Sequence, residues 1–143
     1  MTSELESRHT LEKLVVEFTE AFNREDIDEV MSYFADDAIY DEFNDIRHDG
    51  SAAIRKAFEP QFAGAYGTLR FHTEDMFLDV DAGKAMIRWV STLEEENRAG
   101  AYRGLDLLHF QDGKLVEKHT YCKAKIPFIR KKAEMTEEGT WPV

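Results

Sequence analysis

The run Asp106-Leu107-Leu108-His109-Phe110-Gln111-Asp112-Gly113-Lys114-Leu115-Val116-Glu117 decides how this chain folds. Asp112-Gly113 is its strongest hairpin signal, a pair suited to the positive φ angles of a tight turn. Tyr102 to Phe110 and Leu115 to Ala124 therefore read as two antiparallel strands. Upstream the same period of two continues. Leu69, Phe71, Thr73, Asp75 and Phe77 alternate with Arg70, His72, Glu74, Met76 and Leu78, and Ala85 to Leu93 follows the turn at Asp81-Ala82-Gly83. The second half of the chain is a four-stranded meander.

Before Thr68 the period is helical. Leu11, Leu14, Val15, Phe18 and Phe22 predict an amphipathic helix from about Thr10 to Arg24. Asp26 with Glu29 resembles a capping box, opening a second helix whose apolar face is Ile27, Val30, Met31 and Phe34. Ala38 to Phe43 alternates as a strand. Ser51 is placed to cap a third helix carrying Ile54, Ala57, Phe58 and Phe62, with Pro60 kinking or ending its last turn. Helices first and a long meander afterwards imply an α+β fold. Three N-terminal helices cover a curved, mainly antiparallel sheet, whose concave side is a natural small-molecule pocket.

The 143 residues fit one domain, with 126–143 read as a polar C-terminal tail. Apolar residues at 43%, with ten Phe, are enough for a sizeable core. A net charge of −11 argues against nucleic acid and anionic membrane as partners, and Lys123, Lys125, Arg130, Lys131 and Lys132 do not reverse it. No apolar run approaches a membrane span, no signal segment opens the chain, and Cys122 is its one cysteine. The expectation is a cytoplasmic protein.

Three stretches in order resemble the SnoaL-like branch of the NTF2-like superfamily. They are Tyr33-Phe34-Ala35-Asp36-Asp37-Ala38-Ile39-Tyr40, Asp49-Gly50-Ser51-Ala52-Ala53-Ile54, and the Asp106 to Glu117 run. The resemblance covers about Leu11 to Cys122 and implies the superfamily's cone, known for isomerases, dehydratases, cyclases and non-catalytic binders. By likeness to the ketosteroid isomerases, the catalytic base falls on Glu42 and the oxyanion-hole acid on Asp106. Their oxyanion-hole tyrosine falls on Phe18, which has no hydroxyl. By likeness to the dehydratase-type members, a catalytic His falls on His72, while their helix-one Tyr and Asp fall on Phe18 and Asn23.

The residues themselves support parts of this. Asp106 sits among Leu105, Leu107 and Leu108, where a carboxyl must find a partner or take up a proton. Lys118 is its nearest basic candidate, and hairpin register decides. A two-residue turn pairs Asp106 with His119 and puts Glu117, His119 and Tyr121 on its face. A three-residue loop with a glycine bulge pairs it with Lys118 and brings Val116, Thr120 and Cys122 to that face. The family likeness favours the bulged form. Glu42 shares a strand face with Ala38 and Tyr40. Arg88 and Trp89 point oppositely, so one of them lines the pocket.

The expected site therefore has Asp106, His72, Glu42 and Lys118 as catalytic groups, and Phe18, Tyr40, Trp89 and Cys122 against the substrate. The five His show no metal-ligand spacing, and no phosphate loop or dinucleotide motif is present, so neither metal nor cofactor is expected. The reading is a cofactor-independent acid–base enzyme acting on a hydrophobic small molecule, as a homodimer joined through the sheet face. The alternative is a binder or dimerisation module of the same fold.

Overall fold

A computed structural model describes residues 4–123. Its helices are α1 (Glu4–Asn23), α2 (Ile27–Ser32) and α3 (Ser51–Phe62). Its strands are β1 (Phe34–Asp41), β2 (Arg47–Asp49), β3 (Thr68–Asp79), β4 (Lys84–Glu94), β5 (Ala99–Gln111) and β6 (Lys114–Cys122). They form one six-stranded sheet in the order β2-β1-β6-β5-β4-β3, in which only β1 and β6 run parallel. The α+β architecture matches the expectation. The tail at 126–143 and Lys125, Arg130, Lys131 and Lys132 lie outside the described residues.

α1 buries Leu11, Val15, Phe18, Ala21 and Phe22, the three- and four-residue spacing that gives one apolar stripe. The stripe packs with Ala85, Ile87, Trp89, Leu108, Phe110 and Leu115 in a single core. Asn23, the last residue of α1, clips the helix to β3. Its amide Nδ2 donates to the Phe71 carbonyl at 2.9 Å, and its Oδ1 accepts the Phe71 N–H at 2.8 Å.

Several local expectations shift. Asp26 does cap α2, accepting from the N–H groups of Asp28 and Glu29 at 3.0 and 3.2 Å. Glu29 does not complete a capping box, because its carboxylate holds Arg24 at 2.9 Å. Phe34 is the first residue of β1 rather than part of α2, since the chain leaves the helix to pair with β6; the Leu115 N–H donates to the Tyr33 carbonyl at 2.8 Å. Gly50, at φ +90°, takes the N-cap of α3 where Ser51 was expected, and its N–H is bound to the Ala38 carbonyl at 2.8 Å. A left-handed φ of that kind suits glycine. Pro60 lies in the last turn of α3, which ends two residues later.

The β5–β6 hairpin follows neither expected register. The turn is the two-residue one, with Asp112 and Gly113 at φ +51° and +76° and Gln111 opposite Lys114. Phe110 pairs with Leu115, but His109 pairs with Glu117, so Val116 is an extra residue in β6. From there Leu108 faces Lys118 and Asp106 faces Thr120. The bulge lets Leu115 and Lys118, three positions apart, both turn inward, which an unbroken period of two forbids.

Candidate functional site

The helices leave a cavity of about 430 Å³ against the concave face of the sheet. Phe22 of α1, Phe58 of α3, Tyr40 of β1, Phe71 of β3, Trp89 of β4 and Tyr102 of β5 supply its aromatic walls. Thr19, Glu42, Asp106, Lys118, Thr120 and Cys122 are polar groups on the same surface. A larger groove, about 830 Å³, runs past Glu25, Glu94, Glu95, Glu96 and Arg98. It contains none of the expected site residues, and its charged groups are mostly exposed.

The floor of the aromatic cavity is one ion pair with its supports. Lys118 Nζ donates to Asp106 Oδ1 at 3.0 Å, and the two side chains are 6% and 9% exposed. The Thr120 hydroxyl donates to the same Oδ1 at 2.6 Å and accepts from Lys118 Nζ at 2.6 Å. Trp89 Nε1 donates to Asp106 Oδ2 at 3.2 Å. Asp106 thus accepts three hydrogen bonds, the arrangement suited to an ionised carboxylate rather than to a neutral acid. Lys118 also lies over the Tyr40 ring, 4.5 Å from its centroid, where the ring's negative face favours a cation.

Charge and burial act on the neighbours. The Tyr40 phenol is pushed well above the usual tyrosine range, first by burial and then by the negative charges of Asp106 and Glu42, with a Thr120 hydrogen bond opposing. Burial also raises the Cys122 thiol, and Asp106 adds to this while Lys118 counters it. A thiol raised in this way is a poor nucleophile at neutral pH.

Glu42 follows β1 directly, two residues beyond Tyr40, and lines the cavity. Its Oε1 lies 2.6 Å from His48 Nε2 on β2. His48 pairs with Tyr40 across the β1–β2 hairpin and stacks on its ring, with centroids 5.7 Å apart at 29°.

The structure therefore brings Asp106, Lys118, Glu42, Tyr40, Trp89 and Cys122 to one cavity. Two expected residues are elsewhere. His72 is exposed and bonded to Thr92 Oγ1 at 3.0 Å. Its neighbour Phe71 takes the cavity side of β3, and alternation turns His72 outward. Phe18 is buried beneath the cavity, edge-on to Phe22, Tyr33 and Phe34 at 5.3–5.7 Å. α1 turns about 100° per residue, and Thr19 and Phe22 take the cavity wall instead. Of the opposed pair, Trp89 faces inward and Arg88 outward. His48 and Thr120 join the site from outside the expected set. A three-residue loop over 43–45, closed by the Glu42 N–H on the Ile46 carbonyl, is what places His48 beside Tyr40.

The family model described as the SnoaL-like domain matches residues 15–118. Solved structures of the same fold share little sequence with this chain. An NTF2-like protein of unknown function from Mesorhizobium loti is 22% identical, with a TM-score of 0.66 over 81% of this chain and 93% of that one. A protein from Xanthomonas campestris pv. campestris, provisionally described as a polyketide cyclase, is 20% identical, with a TM-score of 0.68 over 80% and 91%. A protein of ketosteroid isomerase-like fold from Catenulispora acidiphila, solved with trimethylamine, is 14% identical, with a TM-score of 0.67 over 76% and 83%. No curated protein matches the sequence.

Proposed function

Because this chain belongs to the SnoaL-like domain family, we propose that it is a cofactor-independent acid–base enzyme of isomerase, dehydratase or cyclase type. Its substrate is a hydrophobic small molecule bearing a carbonyl. The observation that supports this is the meeting of Glu42 with the Lys118–Asp106 pair on one aromatic-walled cavity. Glu42 removes a proton next to the carbonyl, and the electron pair moves onto the carbonyl oxygen to give an enolate. An N–H of Lys118 donates to that oxygen, and Asp106 is the counter-ion that keeps the ammonium in place. Return of the proton to another carbon, its delivery to a β-hydroxyl that the enolate expels as water, or attack by the enolate carbon on a second carbonyl of the same molecule with the proton passing to the new alkoxide, completes the reaction. His72 has no part in this scheme, and neither does Phe18.

5-Nitrobenzisoxazole tests the base directly, since removal of its ring proton breaks the N–O bond and releases a coloured phenolate. Turnover that is lost in both Glu42→Gln and Lys118→Met variants is the expected result. Asp106 already accepts three hydrogen bonds and Lys118 spends two of its three N–H groups on its own neighbours, which favours a second reading, binding without turnover. Saturable uptake of aromatic carbonyl compounds with no conversion of any of them would establish the binder instead.

The homodimer belongs to the same proposal. Phe77, Leu107 and Tyr121 stand 64%, 43% and 55% exposed, and Leu107 pairs with Met86, which pairs with Phe77. A second copy seated on this face would cover them. Light scattering at micromolar concentration should give twice the chain mass, and Leu107→Glu should halve it; a native monomer overturns the assembly.

A further inference from the structure

We propose that His48 is the positioning residue of the site, holding Glu42 so that one carboxylate oxygen stays free for the substrate. The inference rests on Glu42 being the base. Glu42 has three side-chain torsions and stands at the end of a strand, where a free carboxylate would sweep out into water. Two contacts prevent that. The turn after Glu42 is closed at its backbone, with the Glu42 N–H donating to the Ile46 carbonyl at 2.9 Å and the Asp45 N–H to the Glu42 carbonyl at 3.0 Å. The carboxylate is then caught by His48 Nε2 at 2.6 Å, with both side chains about four-fifths buried, at 18% and 20% exposure.

His48 is itself immobilised. It shares a rung with Tyr40 and stacks on that ring, and the Tyr40 ring stacks on Phe58 at 4.9 Å and carries Lys118 at 4.5 Å. The imidazole, the carboxylate and the ammonium are therefore referenced to one rigid aromatic side chain. Among the described residues Oε1 is the only oxygen of the Glu42 carboxylate with a hydrogen-bond partner, which leaves Oε2 to accept a proton. Holding a base in its reactive geometry is worth orders of magnitude in rate, and the loss of the holding contact appears in kcat rather than in KM.

Two variants separate the N–H from the stacking. His48→Phe keeps an aromatic ring on Tyr40 and removes the donor, and His48→Gln restores an amide N–H at about the same reach. With 5-nitrobenzisoxazole, His48→Phe should lower kcat about 10- to 100-fold with KM unchanged within about twofold, and His48→Gln should recover most of the loss. Equal rates for the native protein and His48→Phe overturn the proposal, as do equal losses in both variants. A crystal structure of His48→Phe gives a readout independent of turnover. Glu42 swung away from the cavity supports the positioning role; Glu42 unmoved overturns it. A native protein without turnover, or a Glu42→Gln variant that keeps it, counts against Glu42 as the base, and the crystal structure still decides the role of His48.

Discussion

Lys118 bonds Asp106 at 3.0 Å although the two are not opposite one another; Asp106 faces Thr120 and Lys118 faces Leu108. The long lysine side chain reaches along the strand to a carboxylate one rung-pair away, and Thr120 bonds both groups. Almost no water reaches either charge, so each depends on the other. Replacing Asp106 with Asn strands a buried ammonium and should cost about 3–5 kcal/mol in urea unfolding. The pair replacement Asp106→Leu with Lys118→Met should recover part of that loss. Additive losses would mean the two charges do not depend on one another.

Tyr40 links stability to alkaline pH. Its folded-state pKa is raised by burial and by the charges of Asp106 and Glu42. Above the ordinary tyrosine value near 10 the unfolded chain releases this proton while the folded one retains it. The stabilisation is thus complete below about pH 10 and is lost as pH rises, by about 1.4 kcal/mol per pH unit for this group. Tyr40→Phe should flatten the fall in melting temperature between about pH 10 and 11.5. An unchanged slope would show that the phenol ionises without resistance.

Asn23 stands where the dehydratase-type members place a catalytic Asp, but here it binds the Phe71 backbone on both sides. Asn23→Ala removes both bonds and should destabilise by about 1–3 kcal/mol. The Phe71 amide should exchange its hydrogen faster in the variant. Equal protection in native and variant protein would remove the clip from the account.

Gly104 sits beneath the Trp89 ring. A methyl group there would press into that ring and into the Tyr121 carbonyl. Gly104→Ala should therefore displace the indole, weaken its bond to Asp106, and cost about 1–3 kcal/mol. A crystal structure with Trp89 unmoved and a melting temperature equal to the native one would contradict this.

Phe18 is a test of what the cone lacks. A hydroxyl added there enters a packed cluster of Phe22, Tyr33 and Phe34 beneath the cavity. Phe18→Tyr should lose about 1–3 kcal/mol of stability and give no gain in turnover of the benzisoxazole. An increase in rate without loss of stability would show that the cavity extends to this ring.

The class of fold is legible in the order of residues alone, because hydrophobic period is a local property. The 3.6-residue spacing from Leu11 to Phe22 and the alternation after Thr68 each state which face is buried, whatever the rest of the chain does. The order of residues also placed Tyr40 and Glu42 on one face, because side chains two residues apart along extended chain share a face whatever the register. Three other matters belonged to the tertiary structure. One inserted residue at Val116 set the register of β6, and no local pattern separates a bulge from an ordinary strand position. The rotation of α1 over the sheet put Phe18 beneath the cavity and Thr19 on its wall, a choice made by packing volume. The partners of the charges were decided last. Asp106 with Lys118, and Glu42 with His48, meet across strands, where a contact depends on register and on side-chain reach rather than on position in the chain.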